Sequence, residues 1–302
     1  MNLFDQLTRE ALRNTPDLGL LRPVVEKELL HHDILRELGD SGVLPQLVFM
    51  GGTCLRACYG SARLSEDLDF YGGSDFHPGQ LQGFPEHLQQ MLMEKYSLPV
   101  EIQIPKKTGS GKVETWKISI ITRPERKDLP AQRIHLDICA LPSLDSRPRV
   151  LRNPYGVEMG TGGLILQAAS REEILSDKFV ALALRRGRLK FRDLWDIHWL
   201  TQSTVTLRPE WVLEKMDLHG WKPRDFHEKL EFRLWQLEEE PRLRTDFLAE
   251  LQRFLPLVHI ENRIDQPTFW TYLTGMLREQ SAPIFAIDSK GHVSGRIPGV
   301  VE

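Results

Sequence analysis

The stretch Leu47-Val48-Phe49-Met50-Gly51-Gly52-Thr53, followed after a short amphipathic interval by Ser65-Glu66-Asp67-Leu68-Asp69-Phe70, carries the reading of the whole chain. An apolar run ends there on two glycines and a hydroxyl residue, so the backbone can turn sharply and approach an anion closely. Residues Thr53 to Tyr59 read as the start of a helix, whose N-terminal N–H groups and positive dipole end suit a triphosphate. Leu64, Leu68 and Phe70 surround Asp67 and Asp69, and the two-residue period of a strand puts both carboxylates on one face. Glu66 falls on the other face and stays out of the site. Two hard oxygen ligands on one face suit Mg²⁺, which binds a few carboxylates together with substrate phosphates.

Working outward, apolar positions at helical spacing from Asp17 to Leu38 predict helices ahead of the first strand, broken at Gly39 and Ser41-Gly42. His31-His32-Asp33 lies in this stretch. Adjacent residues on a helix diverge by about 100°, so the pair reads as ordinary surface and not as a metal site. Past the carboxylates, a loop at Gly72-Gly73 and His77-Pro78 leads to an amphipathic helix from Gln80 to Tyr96. Strands follow over Val100 to Ile104 and around Trp116, Ile118 and Ile120. The hairpin tip between them, Lys106 to Lys112, lacks the first glycine and the final Ser/Thr of a P-loop. It reads as a solvated turn, with a finger contacting nucleic acid as the alternative.

Arg133 to Ala140 reads as another strand, holding Asp137, and Pro142 to Asn153 as a connection that ends the sheet. The pattern then turns helical at Glu172–Arg185, at Phe191–Leu200 and from Pro209 to Phe254, before an irregular tail with Gly291, Gly295, Pro298 and Gly299. The expected fold is α/β, a small mixed sheet flanked by helices in residues 1–160, followed by a mostly helical half over 161–302.

A chain of 302 residues holds one large or two medium domains, and 41% hydrophobic with 27% charged residues is the composition of a globular protein. The first residues are polar and no later apolar run is long enough to span a bilayer, so neither a signal peptide nor a membrane partner is expected and the compartment reads as the cytoplasm. Cys54, Cys58 and Cys139 are too few for a disulfide framework and read as small buried apolar residues. A net charge of −3 argues against a uniformly basic coat but leaves room for a local one. The tryptophans fall mostly in the helical half, where core packing is the default and an exposed one could stack on RNA bases.

The glycine pair, a spacer and Asp-x-Asp on a strand resemble the nucleotidyltransferase superfamily that includes DNA polymerase β. The fuller string GGTCLRACYGSARLSEDLDF (51–70), with VVEKELLHHDILREL (24–38) before it and SDKFVALALRRGRLKFRDLWDIHWL (176–200) after it, resembles the AbiEii/AbiGii abortive-infection toxin nucleotidyltransferases. The spacer between Thr53 and Asp67 is somewhat longer than that family's commonest spacing. The resemblance implies a nucleotidyltransferase-like fold and transfer of a nucleoside monophosphate from an NTP to an acceptor hydroxyl, the 3′ end of tRNA or another RNA. It also implies Mg²⁺ or Mn²⁺ as cofactor and a cognate antitoxin as partner. The oligomeric state stays open.

By the same resemblance, Asp67, Asp69 and a third carboxylate on a neighbouring strand, matched by Asp137, hold the metal, and Asp137 helps deprotonate the acceptor. An ion pair of Asp137 with Arg133 or Lys117 is the structural alternative. Gly51, Gly52 and the N–H and hydroxyl of Thr53 take the β- and γ-phosphates. Lys178 and Arg185 share a helix face, two turns apart, where cations could hold the triphosphate; the resemblance places a functional lysine at Lys178. Arg188, Lys190 and Asp193 are similar to a family motif that orients the nucleotide, and Asp196 follows it. Pairs of Asp193 with Lys190 and of Asp196 with Arg192 would be ordinary helical ion pairs instead. Arg63 is either a phosphate contact or an exposed loop residue. The basic residues from Lys106 to Arg152, including Arg123, Arg126, Lys127, Arg147 and Arg149, are compatible with an RNA backbone. Two other functions fit parts of the pattern: a small-molecule adenylyltransferase of the antibiotic-modifying kind, and a nucleotide- or RNA-binding protein without turnover.

Overall fold

Asn2 caps the first helix, α1 (Leu3–Asn14), accepting the Asp5 N–H at 2.8 Å, and a 3₁₀ turn at Pro16–Leu21 leads into α2 (Arg22–Asp40). The computed structural model describes residues 2–105 and 112–287; most of the lysine-bearing hairpin tip and the glycine-bearing tail lie outside the described residues. After α2 come β1 (Val48–Met50), α3 (Gly51–Tyr59), β2 (Leu68–Tyr71), α4 (Phe84–Tyr96), β3 (Val100–Gln103), β4 (Val113–Ile120), β5 (Gln132–Cys139), β6 (Ser146–Val150) and β7 (Ile165–Ala169). The strands form one mixed sheet in the order β3-β4-β5-β2-β1-β7-β6, with β2 parallel to β5, β1 parallel to β7 and the other pairs antiparallel.

The two-residue period sorts this sheet into two faces. Phe49, Leu68, Phe70, Trp116, Ile118, Ile134, Leu136 and Ile138 are buried on one side, where Phe49 and Phe70 stack at 5.0 Å. Each such side chain contributes roughly 1.5–3 kcal/mol of transfer free energy. The intervening residues, among them Asp69, Lys117, Arg133, His135 and Asp137, stay half-buried or exposed.

The sheet does not end at Asn153, as the Pro- and Arg-rich sequence suggested. Ser146–Val150 is an edge strand whose residues are all exposed, and it pairs with β7. With neither face covered it has no apolar alternation to betray it, and Pro148 is tolerated because an edge strand can spare an N–H. Cys54, Cys58 and Cys139 are buried and form no disulfide among the described residues, as expected.

The second unit is helical: α5 (Arg171–Leu184), α6 (Phe191–Gln202), α7 (Pro209–Leu218), α8 (Pro223–Glu239), α9 (Pro241–Leu251), the short α10 (Leu257–His259) and α11 (Pro267–Ala286). Prolines open α7, α8, α9 and α11, so the long periodic stretch after Pro209 breaks where a fixed φ and a missing N–H cost a first turn nothing. The chain divides into one unit of residues 1–169 with 254–256 and another of 170–253 with the residues from 257 on. No helix among the described residues is long and apolar enough to cross a membrane.

Candidate active site

In the sheet unit, β1 passes into α3 with no loop between them. Gly51 makes the turn at φ +75°, and a Cβ there would lie 2.6 Å from Asp69 Oδ2, so both the backbone angle and the approach of the carboxylate require glycine. Gly52 has its own reason, since the Arg63 guanidinium fills the space a Cβ would need. The first turn of α3 presents N–H groups that no intrahelical carbonyl satisfies. Thr53 sits in that turn, buried, with its hydroxyl donating to the Asp67 carbonyl. The hydroxyl proton is thereby committed to the protein, and the N–H groups are what the turn offers an anion.

Strand register brings the acids together. Met50, Asp69 and Asp137 are successive lateral neighbours across β1, β2 and β5. Asp67 precedes Asp69 by two residues, and its Oδ1 accepts the His135 N–H at 3.2 Å while lying 3.3 Å from His135 Nδ1. Thr115 stands opposite Asp137, with Lys117 opposite His135 and Arg133 opposite Ser119. All three aspartates are partly accessible. Among the described residues no three His, Cys, Asp or Glu side chains form a ready-made metal cage. A carboxylate set on an open face still fits Mg²⁺ or Mn²⁺, hard ions that complete their shells with water and substrate phosphate oxygens.

What fixes the segment between the glycines and the acids is α2. Glu28, buried, accepts the Ser65 N–H at 2.9 Å on one oxygen, and on the other the Arg56 Nε–H at 3.1 Å and the Tyr155 hydroxyl. Burial and the Glu28 charge together push the Tyr155 hydroxyl well above its ordinary pKa. Lys27 meets Glu66 at 2.6 Å, His31 Nε2 donates to the Glu66 carbonyl at 3.0 Å, and Arg56 Nη1 donates to the Ser61 carbonyl at 3.1 Å. Glu66, left out on strand geometry, is therefore part of the anchorage.

His31, His32 and Asp33 are not surface. All three are buried, His32 against Thr161 at 2.7 Å, and Asp33 accepts from Tyr96 at 2.5 Å and Lys95 at 2.6 Å. Burial lowers the His32 pKa to about 4 and keeps the ring neutral. Adjacent residues diverge as helix geometry requires, but α2 is covered on several sides, so divergence does not mean exposure. Arg63 is likewise no exposed loop residue: it is 2% exposed and donates to the Leu64 carbonyl at 2.8 Å.

The helical unit holds a different charged cluster. Lys178 on α5 reaches Asp193 at 2.6 Å and Asp196 at 2.7 Å on α6, and Arg185 reaches Asp193 at 2.8 Å. Asp196 is fully buried and Asp193 nearly so. Burial alone would raise the Asp193 pKa, but the Lys178 ammonium and the Arg185 guanidinium outweigh it and hold the carboxyl well below the usual range. Lys178 lies on α5 and Arg185 at its C-cap, beyond the last helical turn, and both reach Asp193. Arg188 is exposed with its guanidinium 5.8 Å from the Phe191 ring centre, and Lys190, also exposed, forms the N-cap of α6.

Three of the basic residues between Lys106 and Arg152 are matched by acids. Arg123 meets Glu26 at 2.6 Å, Arg126 meets Asp128 at 2.7 Å and Arg147 meets Asp145 at 3.3 Å, while Arg149 lies over the Tyr59 ring. Lys106 and Lys107 fall outside the described residues.

A mixed sheet with a glycine turn at a helix N-terminus and aspartates in register beside it is the frame of a nucleotidyltransferase. The fold is similar to that of MenT4, a nucleotidyltransferase toxin of Mycobacterium tuberculosis, with a TM-score of 0.53 and 17% identity over 95% of this chain and 91% of that one. JHP933 of Helicobacter pylori is more distant, with a TM-score of 0.45 and 19% identity over 85% and 92%. No curated protein matches the chain by sequence. Residues 33–275 match the family of the nucleotidyl transferase AbiEii toxin of type IV toxin–antitoxin systems, and the chain belongs to that family. It is a nucleotidyltransferase toxin whose substrate is an NTP and whose partner is an antitoxin.

Proposed function

We propose that this enzyme moves a nucleoside monophosphate from an NTP to the 3′-terminal hydroxyl of tRNA in a Mg²⁺-dependent reaction. The observation that most supports the chemistry is the lateral row Met50, Asp69, Asp137 beside the Gly51 turn. In this reading the N–H groups of the first turn of α3 bind the triphosphate. Asp67, Asp69 and Asp137 hold the ion, which when bound supplies charge neutralisation and alignment of the phosphates. The acceptor oxygen bonds to the α-phosphorus as the bond to pyrophosphate breaks, pyrophosphate leaves with the electron pair, and Asp137 takes the hydroxyl proton. Glu28, Lys27 and His31 hold the approach to Asp67 so that the acids meet the phosphates in one geometry. For the helical unit by itself, we propose that the buried Lys178, Asp193 and Asp196 form a scaffold that holds Arg185, Arg188 and Lys190, the cations of the family's nucleotide-orienting motif, in place.

The test is incubation of the protein with Mg²⁺, each α-labelled NTP in turn and total bacterial tRNA, beside an Asp67→Ala/Asp69→Ala control. Label on tRNA from the intact protein alone supports the proposal and names the base. Unlabelled RNA, with pyrophosphate released when small hydroxyl compounds are supplied, would replace it with a small-molecule adenylyltransferase.

A further inference from the structure

Helix α8 has two longitudinal stripes. Phe226, Leu230, Leu234 and Leu237 are buried and form its packing side. Lys229, Phe232, Arg233 and Gln236 recur at the same helical spacing and make a second, accessible stripe. Phe232 and Trp235 are 53% and 49% exposed and stack on one another at 5.9 Å, an unusual outlay of aromatic surface on water.

Two adjoining clefts border the accessible stripe within the helical unit. One, of about 350 Å³, runs along Arg185–Gly187 and is walled by Trp221, Lys229, Phe232 and Arg233. The other, of about 230 Å³, lies past Arg233 among Arg188, Phe191 and Arg242. The first is within the size range of ordinary ligand sites, about 300–1,000 Å³.

Their charges are cancelled only in part: Arg185 meets Asp193 at 2.8 Å, and Arg242 meets Asp246, which also lines the second cleft, at 3.8 Å. Among the described residues, Arg186, Arg188 and Lys229 have no carboxylate partner, in contrast to Arg123, Arg126 and Arg147 of the sheet unit. Arg233 spends its donors on the carbonyls of Arg185 and Gly187 and on Gln236, which fixes its position and leaves its charge in place. Lys229 stands 5.2 Å from the Trp221 ring centre. Cations spaced along a groove with accessible aromatic faces between them are what an unpaired polynucleotide strand needs: phosphates meet the cations, and unstacked bases find a ring to stack on. A duplex would hide its bases from the rings, and an acidic peptide would leave the aromatic surface unused.

We propose that these clefts bind a single-stranded RNA segment, with its phosphates on Arg186, Lys229 and Arg233 and its bases against Trp221 and Phe232. The proposal rests on the RNA-acceptor reading and assigns that acceptor a docking site remote in sequence from the acids.

The experiment is fluorescence anisotropy of a labelled mixed-sequence oligoribonucleotide with the full chain, without NTP, across a salt series. The Asp67→Ala/Asp69→Ala background keeps binding separate from turnover. Arg186→Ala/Lys229→Ala is expected to weaken binding at least about tenfold near 0.1 M salt and to flatten the plot of log K against log salt by about 1.4, two single-strand phosphate contacts. Phe232→Ala should weaken binding without changing the slope. All these positions are accessible, so an unchanged thermal midpoint verifies the fold. Equal affinity and slope in the double variant overturn the proposal, as does loss of poly-glutamate binding with RNA binding intact. Oligonucleotide binding that depends on the clefts, in a protein that labels no RNA, leaves this site standing while the acceptor reading falls.

Discussion

The two groups of aspartates in this protein use the same side chain to opposite ends. Asp69 and Asp137 lie on neighbouring strands, with Asp67 just ahead of the first, partly accessible beside a helix N-terminus. Asp193 and Asp196 are buried between helices and matched by Lys178 and Arg185. An acid left in reach of water can accept a metal ion and a substrate phosphate. One sealed against an ammonium is already neutralised, and its removal is felt first in stability. The difference teaches that a carboxylate's neighbours, more than its type, decide whether its loss costs catalysis or folding.

The sharpest way to break the contrast is at the sheet. Asp67→Ala/Asp69→Ala is expected to lower the transfer rate at least about ten-thousandfold, some 5 kcal/mol of transition-state stabilisation, while the thermal midpoint stays within about a degree or two. A large fall in midpoint instead would make these acids structural. Next comes Lys178→Met, which takes the ammonium from two buried carboxylates, leaving Asp193 only Arg185 of the pair that holds it, and should destabilise the chain by about 3–5 kcal/mol. Denaturant unfolding reads this directly, and a loss under about 1 kcal/mol would mean the cluster is solvated after all.

Acid titration sharpens the same point. Because the folded Asp193 carboxyl lies below its unfolded value of 3.8, its contribution is fully present above about pH 4 to 5 and is lost as the pH falls from there. Unfolding free energy should therefore drop below pH 4 in the intact chain and drop less steeply in Lys178→Met. Smaller effects belong to the anchorage. Glu28→Gln removes the charge that Arg56 and Tyr155 share, for about 1–3 kcal/mol of stability, and should reduce kcat more than the KM for NTP. A Glu28→Gln protein with intact kcat would deny α2 any part in positioning the acids. Gly51→Ala carries the smallest stability cost, about 1–2 kcal/mol for a left-handed angle, yet its methyl group would press on Asp69 and should depress the rate as well.

How much of this was legible in the sequence follows from how local each signal is. The glycine pair, the helix after it and the two-residue spacing of Asp67 and Asp69 are short-range features; the helix forms as predicted, and the strand forms from Leu68, leaving Asp67 just ahead of it. Asp137 was legible as an acid in an apolar strand, but its place beside Asp69 is a matter of parallel register. His135 gave no signal, because only that register sets it against Asp67. The burial of His31, His32 and Asp33 was hidden for a similar reason: their cover comes from Tyr96, Lys95 and Thr161, far along the chain. Sequence spacing allowed Asp193 an ion pair within its own helix, whereas Lys178 reaches it from the helix before. Strand β6 was invisible because both of its faces meet solvent.

That last strand has a consequence for how the molecule keeps to itself. A sheet with two open margins invites a neighbour's backbone to continue the ladder, and margins are commonly blunted by proline or by charge. Along β6 the chain carries both, with Pro148 set between Arg147 and Arg149. A strand arriving there from another copy would meet a missing donor flanked by two positive charges. Runaway stacking through this margin is discouraged.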